Sequence, residues 1–260
     1  MILSCPICGN PLLKENRTLH CSNRHSFDLA RSGYVNLLSG GGAHGDNDQM
    51  VKARTAFLNQ GCYEFLRDQL KQELASEPVT TFADLGCGEG YYTSVIEAAE
   101  KYGFDLSRKA IDHAAKVDPS TQYAVAGIFR LPLPDQSLDA ALTCFAPAAG
   151  DELDRTLKEH GRFVFVTPGP KHLYELKQVL YEHPYENPVK EPKLSLKQEK
   201  AYRIEQSFSA DHDTLLNLFQ MTPYAYKTGE AGIARLNELT ELSITASFEI
   251  RVYRKSSSSS

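Results

Sequence analysis

The sequence predicts an α/β fold with a mostly parallel sheet, preceded by a small N-terminal metal-binding unit. From residue 79 onward, apolar segments of strand length alternate with segments of helical periodicity, which is the pattern of an α/β domain. The first of these strands runs into a turn that has a glycine at every second position. The first 38 residues instead carry three cysteines and a histidine at regular spacing. The chain therefore divides into a metal-binding unit and a larger α/β domain.

The bulk composition is that of a globular protein. The 260 residues are 42% hydrophobic and 23% charged, and the net charge of -5 argues against non-specific coating of nucleic acid while allowing one basic face. No basic n-region precedes a long apolar core, and no uncharged apolar stretch reaches about 18 residues, so neither a signal peptide nor a transmembrane helix is expected. We expect a cytoplasmic protein whose six cysteines are thiols or metal ligands.

The N-terminal unit has the ligand spacing of a zinc site. Cys5 and Cys8 form a C-x2-C knuckle, and twelve residues later Cys21 and His25 form a C-x3-H pair. Two such turns bring four ligands to a tetrahedral zinc ion, and with no open position the zinc is structural. Structural zinc contributes roughly 10–16 kcal/mol, which so short a segment cannot obtain from an apolar core. His20 is an alternative fourth ligand, although ligation beside Cys21 is awkward.

Residues 1–38 are predicted to be a zinc-binding RNA-recognition module. Four basic side chains stand against two acidic ones, which leaves a charge of about +1 when Zn²⁺ and three thiolates are added. The basic side chains could contact RNA, with Phe27 and Tyr34 as candidates for base stacking. For Phe27 we favour the alternative, in which the ring covers the small hydrophobic cluster behind the metal.

Residues 39–75 are predicted to form a flexible loop and a helical connector. Ser39 to Asp48 are rich in Gly, Asn and Asp, which is typical of a linker or of a loop that orders over a ligand. Apolar residues recur at helical spacing on both sides of Gly61, the predicted C-cap of the first helix. These apolar positions are Met50, Ala53, Phe57 and Leu58 before the glycine, and Tyr63, Leu66, Leu70 and Leu74 after it.

The α/β domain, residues 76–255, is predicted from alternating strands and helices. The predicted strands end at Asp84 and Asp105 and then cover Gln122–Ala126, Leu138–Cys144, Arg162–Thr167, Tyr202–Phe208 and Ser243–Tyr253. The predicted helices are Tyr92–Glu100, a helix capped by Ser107 that runs to Lys116, one through Leu153 and Leu157 that closes near Gly161, Leu173–Tyr181, and one around Leu215–Phe219. The Pro- and Lys-rich residues 183–200 predict an insertion or lid, and residues 256–260 a disordered tail.

The turn after the first strand predicts the ligand. It reads D-L-G-C-G-E-G from Asp84 to Gly90, and glycines permit positive φ angles and close approach of a ligand to the backbone. The helix predicted to follow would offer unpaired N–H groups and the positive end of its dipole. A dinucleotide fingerprint would require glycine at position 91, where Tyr91 stands. Asp84 would repel a pyrophosphate but suits an ammonium group. The pattern resembles motif I of the class I S-adenosylmethionine (SAM) methyltransferases, whose ligand has an amino-acid tail and no phosphate.

A second acid supports this interpretation. Asp105 lies 21 residues after Asp84, close to the offset of a ribose-binding acid after a second strand. The alternative is an ordinary glycine turn with two surface acids.

Ligands of parallel sheets bind at the carboxyl ends of the strands, so five segments should converge on one crevice. They are Asp84–Gly90, Asp105, Ala126–Gly127, Phe145–Pro147 and Pro168–His172. This convergence favours an enzyme over a metal-stabilised binding module.

Zinc knuckles joined to a SAM crevice resemble the bacterial 23S ribosomal RNA guanine-N1 methyltransferases, the RlmA-type family. The resemblance covers almost the whole chain. It rests on the cysteine and histidine spacing, Gly33-Tyr34-Val35-Asn36-Leu37-Leu38, Ala53-Arg54-x2-Phe57-Leu58-x2-Gly61-x-Tyr63, Asp84 to Thr93, Ala146-Pro147, and Thr167-Pro168-Gly169-Pro170-x-His172-Leu173. One departure is Ala126-Gly127 after the third strand, where many methyltransferases have a polar side chain that reads adenine.

The resemblance implies a class I SAM-dependent methyltransferase (Rossmann-like) fold with a small N-terminal zinc-binding domain. It also implies methyl transfer from SAM to N1 of a guanine in a hairpin loop of 23S rRNA. The residues predicted to bind the cofactor are Tyr63, Asp84, Gly86, Gly88, Glu89, Gly90, Asp105 and His172, and those predicted to bind zinc are Cys5, Cys8, Cys21 and His25. For Tyr63 and His172 this role comes from the resemblance alone; otherwise they read as a core tyrosine and a helix-capping histidine.

Two alternatives stay open at the level of sequence. One is a SAM methyltransferase that acts on a small molecule or a protein, and the other is a zinc RNA-binding module whose SAM fold is not catalytic. Glu89, Asp135 and His172 are candidates for a general base, but no spacing singles one out, so the catalytic base is left unassigned. The sequence also leaves open whether the protein forms a homodimer.

Overall fold

A computed structural model describes residues 1–38, 48–189 and 191–257. The strands are β1 (Leu13–Glu15), β2 (Thr18–His20), β3 (Ser26–Asp28), β4 (Val35–Asn36), β5 (Thr81–Leu85), β6 (Glu100–Asp105), β7 (Gln122–Val125), β8 (Leu138–Cys144), β9 (Leu157–Pro168), β10 (Lys197–Asp211) and β11 (Glu241–Arg254). The helices are α1 (Asp48–Asn59), α2 (Glu64–Ala75), α3 (Arg108–Val117), α4 (Gly150–Thr156), α5 (Tyr174–Leu180), α6 (His212–Met221) and α7 (Glu230–Asn237), with short 3-10 turns at Thr93–Val95 and Pro223–Tyr226.

An eight-stranded sheet of order β10-β11-β9-β8-β5-β6-β7-β4 forms the body of the protein. Its strands are parallel except β11, which runs antiparallel between β9 and β10. All five residues of the central strand β5 are buried, as expected for a parallel strand covered on both faces. The chain moves from β5 to β6 on one side and later to β8 on the other. This reversal opens a crevice at the carboxyl ends of β5 and β8, where open α/β sheets bind ligands.

Most predicted elements of the α/β domain are confirmed. Strand β8 has the predicted bounds, and α3 begins after Ser107, whose Oγ accepts a hydrogen bond from the N–H of Ala110 at 3.3 Å. The second strand, β6, extends over six residues and ends at Asp105 as predicted.

Two predicted helices are wrong, and one observed helix was missed. The helix predicted over Tyr92–Glu100 is only a 3-10 turn, because residues 86–99 must supply both the glycine turn and the return to β6. The helix predicted to run through Leu157 and close near Gly161 ends at Thr156, because Leu157 pairs with Leu138 of β8. Helix α7 was not predicted. It includes Gly232, a poor helix former that lets α7 lie against the carbonyl of Leu180 on α5.

The N-terminal unit shares its core with the α/β domain. Its three-stranded sheet, β1-β2-β3, is small, but Leu3, Leu12 and Leu19 are buried in the same cluster as Phe104 and Leu131. The N–H of Ser4 donates to the carbonyl of Pro132 at 2.9 Å, and β4 pairs with β7 at the edge of the large sheet. A unit too short to bury a core by itself is therefore completed by the domain beside it.

The two aromatic residues proposed for RNA stacking do not present free rings. Tyr34 is 4% exposed, packs beside Ile111 and Tyr123, and accepts a hydrogen bond through its hydroxyl from Arg108 Nε at 2.8 Å. The stacking prediction is wrong for Tyr34, because contacts with α3 and β7 bury the ring. Phe27 is half-buried against the shared core, which agrees with the favoured structural alternative.

Two helices, α1 and α2, lie within residues 39–75 as predicted, and Gly61 between them has a φ of +79°. Their buried side chains Phe57, Leu66 and Leu70 belong to the main core beside β5 and β8. Of the predicted loop over residues 39–48, residues 39–47 lie outside the described part of the chain, and Asp48 is the first residue of α1. Of the described serines in the predicted tail, 256 and 257 lie in no helix or strand; the others lie outside the described part. Among the described helices, none is long and apolar enough to cross a membrane.

The predicted insertion, residues 183–200, has no helix or strand in its described part before β10 begins at Lys197. Buried Lys177 of α5 holds its start. Lys177 Nζ donates to the carbonyl of Tyr185 at 2.9 Å and to Asn187 Oδ1 at 2.7 Å. Asn187 Nδ2 donates in turn to the carbonyl of Gly169 at 2.9 Å. The start of the insertion is thus tied to the loop that follows β9.

Candidate metal site and cofactor crevice

The four predicted zinc ligands meet at one point. The ligand atoms of Cys5, Cys8, Cys21 and His25 all lie within 4.8 Å of one another. The separations are 3.4 Å from Cys5 Sγ to His25 Nδ1, 3.6 Å between the sulfurs of Cys8 and Cys21, and 3.5 Å from Cys21 Sγ to His25 Nδ1. Tetrahedral zinc with bonds of about 2.0–2.3 Å sets its ligand atoms roughly 3.3–3.8 Å apart. The cluster therefore fits zinc.

Tight turns create this cluster. The N–H of Gly9 donates to the carbonyl of Cys5 at 2.8 Å, and the N–H of Arg24 donates to that of Cys21 at 2.9 Å. Gly9 and Arg24 both have positive φ angles, 77° and 63°, which curl each turn around its pair of ligands. His20 lies outside the cluster, with its Nε2 3.7 Å from a carboxylate oxygen of Glu15. Of the two histidines considered, His25 completes the site.

A crevice of about 630 Å³ opens at the carboxyl ends of the central strands. Five of the predicted cofactor residues line it: Asp84, Gly86, Gly88, Glu89 and Asp105. The remaining walls come from α1 and from the segments after β6, β7 and β8, namely Arg54, Leu58, Leu106, Gly127, Ile128, Phe129, Arg130, Cys144, Phe145, Ala146 and Pro147, together with Cys87, Tyr91 and Tyr92. Its volume is within the usual range for a small-molecule site.

The glycine turn has the conformation that its sequence predicts. Gly86, Gly88 and Gly90 have φ angles of +85°, +53° and +78°. A Cβ on Gly86 would lie 2.6 Å from the Cβ of Ala146, and one on Gly90 would lie 2.5 Å from the hydroxyl oxygen of Tyr123. Gly90 thus does not line the crevice; it permits the loop to lie against the sheet beneath.

Asp84 presents an unsatisfied carboxylate oxygen. The side chain is 1% exposed, and its Oδ2 accepts a hydrogen bond of 2.6 Å from Thr93 Oγ1. Its Oδ1 is buried and has no hydrogen-bond partner among the described residues. Burial raises the pKa of Asp84 to about 7; Asp105 adds to the rise and the hydrogen bond from Thr93 opposes it. A buried acceptor of this kind fits the ammonium group of SAM.

Glu89 is the second buried carboxylate of the crevice and is paired with Arg54. Arg54 Nε donates to Glu89 Oε2 at 2.7 Å, whereas Oε1 is buried without a partner in the described part of the chain. Burial raises the pKa of Glu89, and the guanidinium of Arg54 opposes that rise. Arg54 belongs to α1 and was not predicted as a site residue. Its only sequence signal was its place in the family-like segment around Phe57.

Asp105 links the glycine turn to α3. Its Oδ2 accepts from the N–H of Gly88 at 3.0 Å, and its Oδ1 accepts from the N–H of Ser107 at 2.7 Å. Each carboxylate oxygen can accept a second hydrogen bond, so the position suits a ribose diol. Farther along the sheet edge, no acid lines the crevice among the described residues. Apolar Ile128 and the 68% exposed ring of Phe129 line it there, which suits a flat adenine ring.

Tyr63 and His172 lie behind the crevice and do not line it. Both are buried, and Tyr63 Oη lies 3.4 Å from His172 Nε2. His172 Nδ1 accepts the N–H of Ser247 at 3.2 Å, so in the neutral ring Nε2 carries the proton. Burial, aided by the charge of Lys177, lowers the pKa of His172 to about 3. The imidazole is therefore neutral at physiological pH, and contact of either residue with the cofactor stays a prediction.

The positions of the three candidates for the general base distinguish them from one another. Glu89 lines the crevice, whereas His172 is buried behind it and Asp135 is an exposed partner of Arg155 at 2.9 Å. Only Glu89 among them lies where a substrate could approach.

A second cavity, of about 470 Å³, adjoins the first. The two cavities share Phe145, Ala146 and Pro147, the turn after β8. Phe145 is 43% exposed and has a φ of +62°, a conformation that is costly for a bulky residue and that concentrates at functional sites. The other walls come from Ala148, which follows the same turn, and from β9 and the insertion: Phe165, Thr167, Pro168, Asn187, Pro188, Glu191 and Pro192. One exposed aromatic ring therefore stands between two adjacent cavities.

A carboxylate-led glycine turn on this sheet, with a zinc cluster packed against its edge, defines a SAM-dependent methyltransferase that carries an N-terminal zinc ribbon. The family described as "RlmA, N-terminal" matches residues 3–39, and the methyltransferase domain family matches residues 83–165. A 23S rRNA (guanine(748)-N(1))-methyltransferase of Streptomyces fradiae is 31% identical over 267 residues, 95% of each chain. The chain belongs to the RlmA family of 23S rRNA (guanine-N1)-methyltransferases.

Two further proteins are similar. A Micromonospora griseorubida protein, provisionally named as a 23S rRNA (guanine-N(1)-)-methyltransferase, is 36% identical over 200 residues, which is 67% of this chain and 68% of that protein. Among solved structures, the YcgJ protein of Bacillus subtilis superposes with a TM-score of 0.50 at 16% identity, over 74% of this chain and 98% of its own. The latter likeness concerns the fold alone.

Proposed function

We propose that this enzyme transfers a methyl group from SAM to N1 of a guanine in a hairpin loop of 23S rRNA. The observation that carries the proposal is the 31% identity to the Streptomyces fradiae enzyme over 95% of both chains, which spans the zinc ribbon and the crevice together. Residues 1–38 recognise the RNA, and residues 76–255 bind SAM and carry out the transfer. Residues 39–75 connect these two parts. A ribosomal substrate also implies that the protein works in the cytoplasm.

The RNA-recognition role of the first module is supported by its surface. Lys14, Arg17, Arg24 and Arg31 are all exposed in the described structure. Such side chains pair with backbone phosphates, and a base in a hairpin loop can be splayed out and stacked on an aromatic side chain. Because the module is fixed to the sheet edge beside β7, RNA bound there remains at a fixed distance from the crevice.

The two adjacent cavities support a division of labour. Asp84 binds the ammonium of the cofactor, Asp105 its ribose hydroxyls, and the backbone of Gly86 and Gly88 admits it closely. The resemblance supports the further proposal that Tyr63 and His172 contact the cofactor from behind the crevice. The second cavity takes the flipped guanine, stacked on Phe145, because this ring faces both cavities.

SAM supplies, when bound, a methyl group on a sulfonium and leaves as S-adenosylhomocysteine. Bound SAM would supply this methyl group to guanine N1, with the carbon–sulfur bond breaking as the new bond forms and the N1 proton passing to solvent. The chain's own part is positioning and exclusion of bulk water, since the methyl group is already activated. Phe145 borders both cavities, so it holds the guanine against the methyl group where the two cavities meet.

Primer extension tests substrate and position together, because N1 methylation blocks Watson–Crick pairing and stops reverse transcriptase. Unmodified transcripts of 23S rRNA hairpins are incubated with zinc-loaded enzyme, with and without SAM. We expect one SAM-dependent stop next to a loop guanine. Phe145→Ala should abolish this stop while retaining cofactor binding in calorimetry, because the ring acts on the base.

Other outcomes distinguish the alternatives. Read-through at every guanine would overturn the proposed substrate. Turnover of SAM without RNA would favour a small-molecule or protein acceptor, and absence of cofactor binding would favour a non-catalytic RNA-binding module. Light scattering of the same preparation determines whether the enzyme is a homodimer.

A further inference from the structure

The charged groups of the cofactor crevice suggest a role for Arg54. Three carboxylates line the described crevice, from Asp84, Glu89 and Asp105, together with the two guanidinium groups of Arg54 and Arg130. The amino-acid tail of SAM carries an ammonium and a carboxylate on the same carbon. Asp84 suits the ammonium, but it would repel the neighbouring carboxylate unless a cation stood close by.

The order of the strands determines which guanidinium is at the tail. Asp105 ends β6 and Phe129 follows β7, so the nucleoside lies toward that side of the sheet. Arg130 follows Phe129 and belongs to the nucleoside end. The amino-acid tail lies on the other side, over β5 and the glycine turn, where Asp84 is placed.

Arg54 stands directly over this glycine turn. A Cβ built on Gly88 would lie 4.0 Å from the central carbon of the Arg54 guanidinium. Glu89, the next residue, accepts the 2.7 Å hydrogen bond from Arg54 Nε, and the Arg54 side chain is 24% exposed. The buried acid therefore holds the guanidinium at the tail end of the crevice.

We propose that Arg54 binds the carboxylate of the cofactor's amino-acid tail and that Glu89 positions Arg54 for this contact. A guanidinium is the side chain best shaped for a carboxylate, because its N–H groups form a planar fork. The tail is then recognised at both charges, by Asp84 at the ammonium and by Arg54 at the carboxylate. This inference deepens the cofactor-binding part of the proposed function and does not depend on the RNA substrate.

Calorimetry with two ligands tests the contact. The ligands are S-adenosylhomocysteine and S-adenosyl-3-thiopropylamine, which is the same molecule without the carboxylate. Zinc-loaded wild-type enzyme should bind the first about tenfold to hundredfold more tightly, as expected for a charge-assisted hydrogen bond. Arg54→Gln should remove this preference by weakening only the first ligand. Arg54→Lys keeps the positive charge but lacks the planar fork of N–H groups, so it should retain part of the preference for S-adenosylhomocysteine.

Arg130→Gln is the matched control, since it removes the other guanidinium of the crevice. Whatever it does to absolute affinity, it should leave the ratio between the two ligands unchanged. Equal weakening of both ligands in Arg54→Gln and Arg54→Lys would show that Arg54 only supports the loop, and would overturn the inference. If Arg54→Gln leaves the ratio between the two ligands unchanged for any other reason, or if the wild type does not bind S-adenosylhomocysteine, the inference is overturned as well. Failure of methylation in primer extension with the ligand preference intact would instead overturn the RNA substrate alone.

Discussion

Replacing Asp84 with asparagine should stabilise the ligand-free enzyme at pH 8 while weakening its affinity for the cofactor. Burial raises the pKa of Asp84 to about 7, against about 3.9 in an unfolded chain. The unfolded state therefore loses this proton first as the pH rises. The contribution of Asp84 to the free energy of unfolding is greatest below about pH 4 and falls between about pH 4 and 7. At roughly 1.4 kcal/mol per pH unit, the decrease totals about 4 kcal/mol.

Asparagine removes this decrease because it does not ionise. The hydrogen bond from Thr93 can be kept, since the amide oxygen can replace Oδ2. The new amide N–H groups then take the place of Oδ1, which has no partner among the described residues, and a buried unpaired donor costs about 1–3 kcal/mol. We therefore expect Asp84→Asn to be about 1–3 kcal/mol more stable than the wild type at pH 8, with a flatter pH dependence.

Urea unfolding at pH 5 and pH 8 measures the stability, and calorimetry with S-adenosylhomocysteine at pH 8 should show a loss of about tenfold or more in affinity. Asp118→Asn is the matched control with the opposite sign. Burial alone would raise the pKa of Asp118, but hydrogen bonds from Ser120 and Thr121 and the ion pair with Lys101 at 3.0 Å outweigh it and lower the pKa. Asp118→Asn removes this ionised carboxylate and should therefore destabilise the protein at pH 8. An Asp84→Asn protein that is less stable at pH 8 and binds the cofactor normally would refute the reasoning.

Three further predictions concern other parts of the molecule. Cys8→Ser should abolish stoichiometric zinc binding and make the N-terminal unit sensitive to protease, because zinc contributes roughly 10–16 kcal/mol to such sites; a metal-free unit that resists protease would contradict this. Gly90→Ala should lower the thermal midpoint, since φ is +78° and the new Cβ would lie 2.5 Å from the Tyr123 hydroxyl oxygen; an unchanged midpoint would show that the loop can move. Lys177→Met should cost about 1–3 kcal/mol in urea unfolding and expose the chain near Asn187 to protease, because it removes hydrogen bonds of 2.9 and 2.7 Å to the insertion; equal stability would contradict that role.

Features that depend on short segments could be read from the sequence. The zinc ligands are two pairs, each within one turn, so their spacing alone determines that Cys5 meets Cys8 and that Cys21 meets His25. The glycine turn was predicted because positive φ angles are a local property of glycine. The bounds of β8 followed from the apolar pattern of a buried parallel strand.

Tertiary structure decided what depends on distant segments. Arg54 and Glu89 form an ion pair although they lie 35 positions apart in the sequence. Nothing in the local sequence around either residue predicts its partner. The helix predicted after the glycine turn reduces to one turn because the register of β5 with β6 determines how much chain is available. Sequence patterns report each segment's preference, whereas packing of the whole sheet decides which side chains meet at its edge; this is why the zinc ligands were predictable and Arg54 was not.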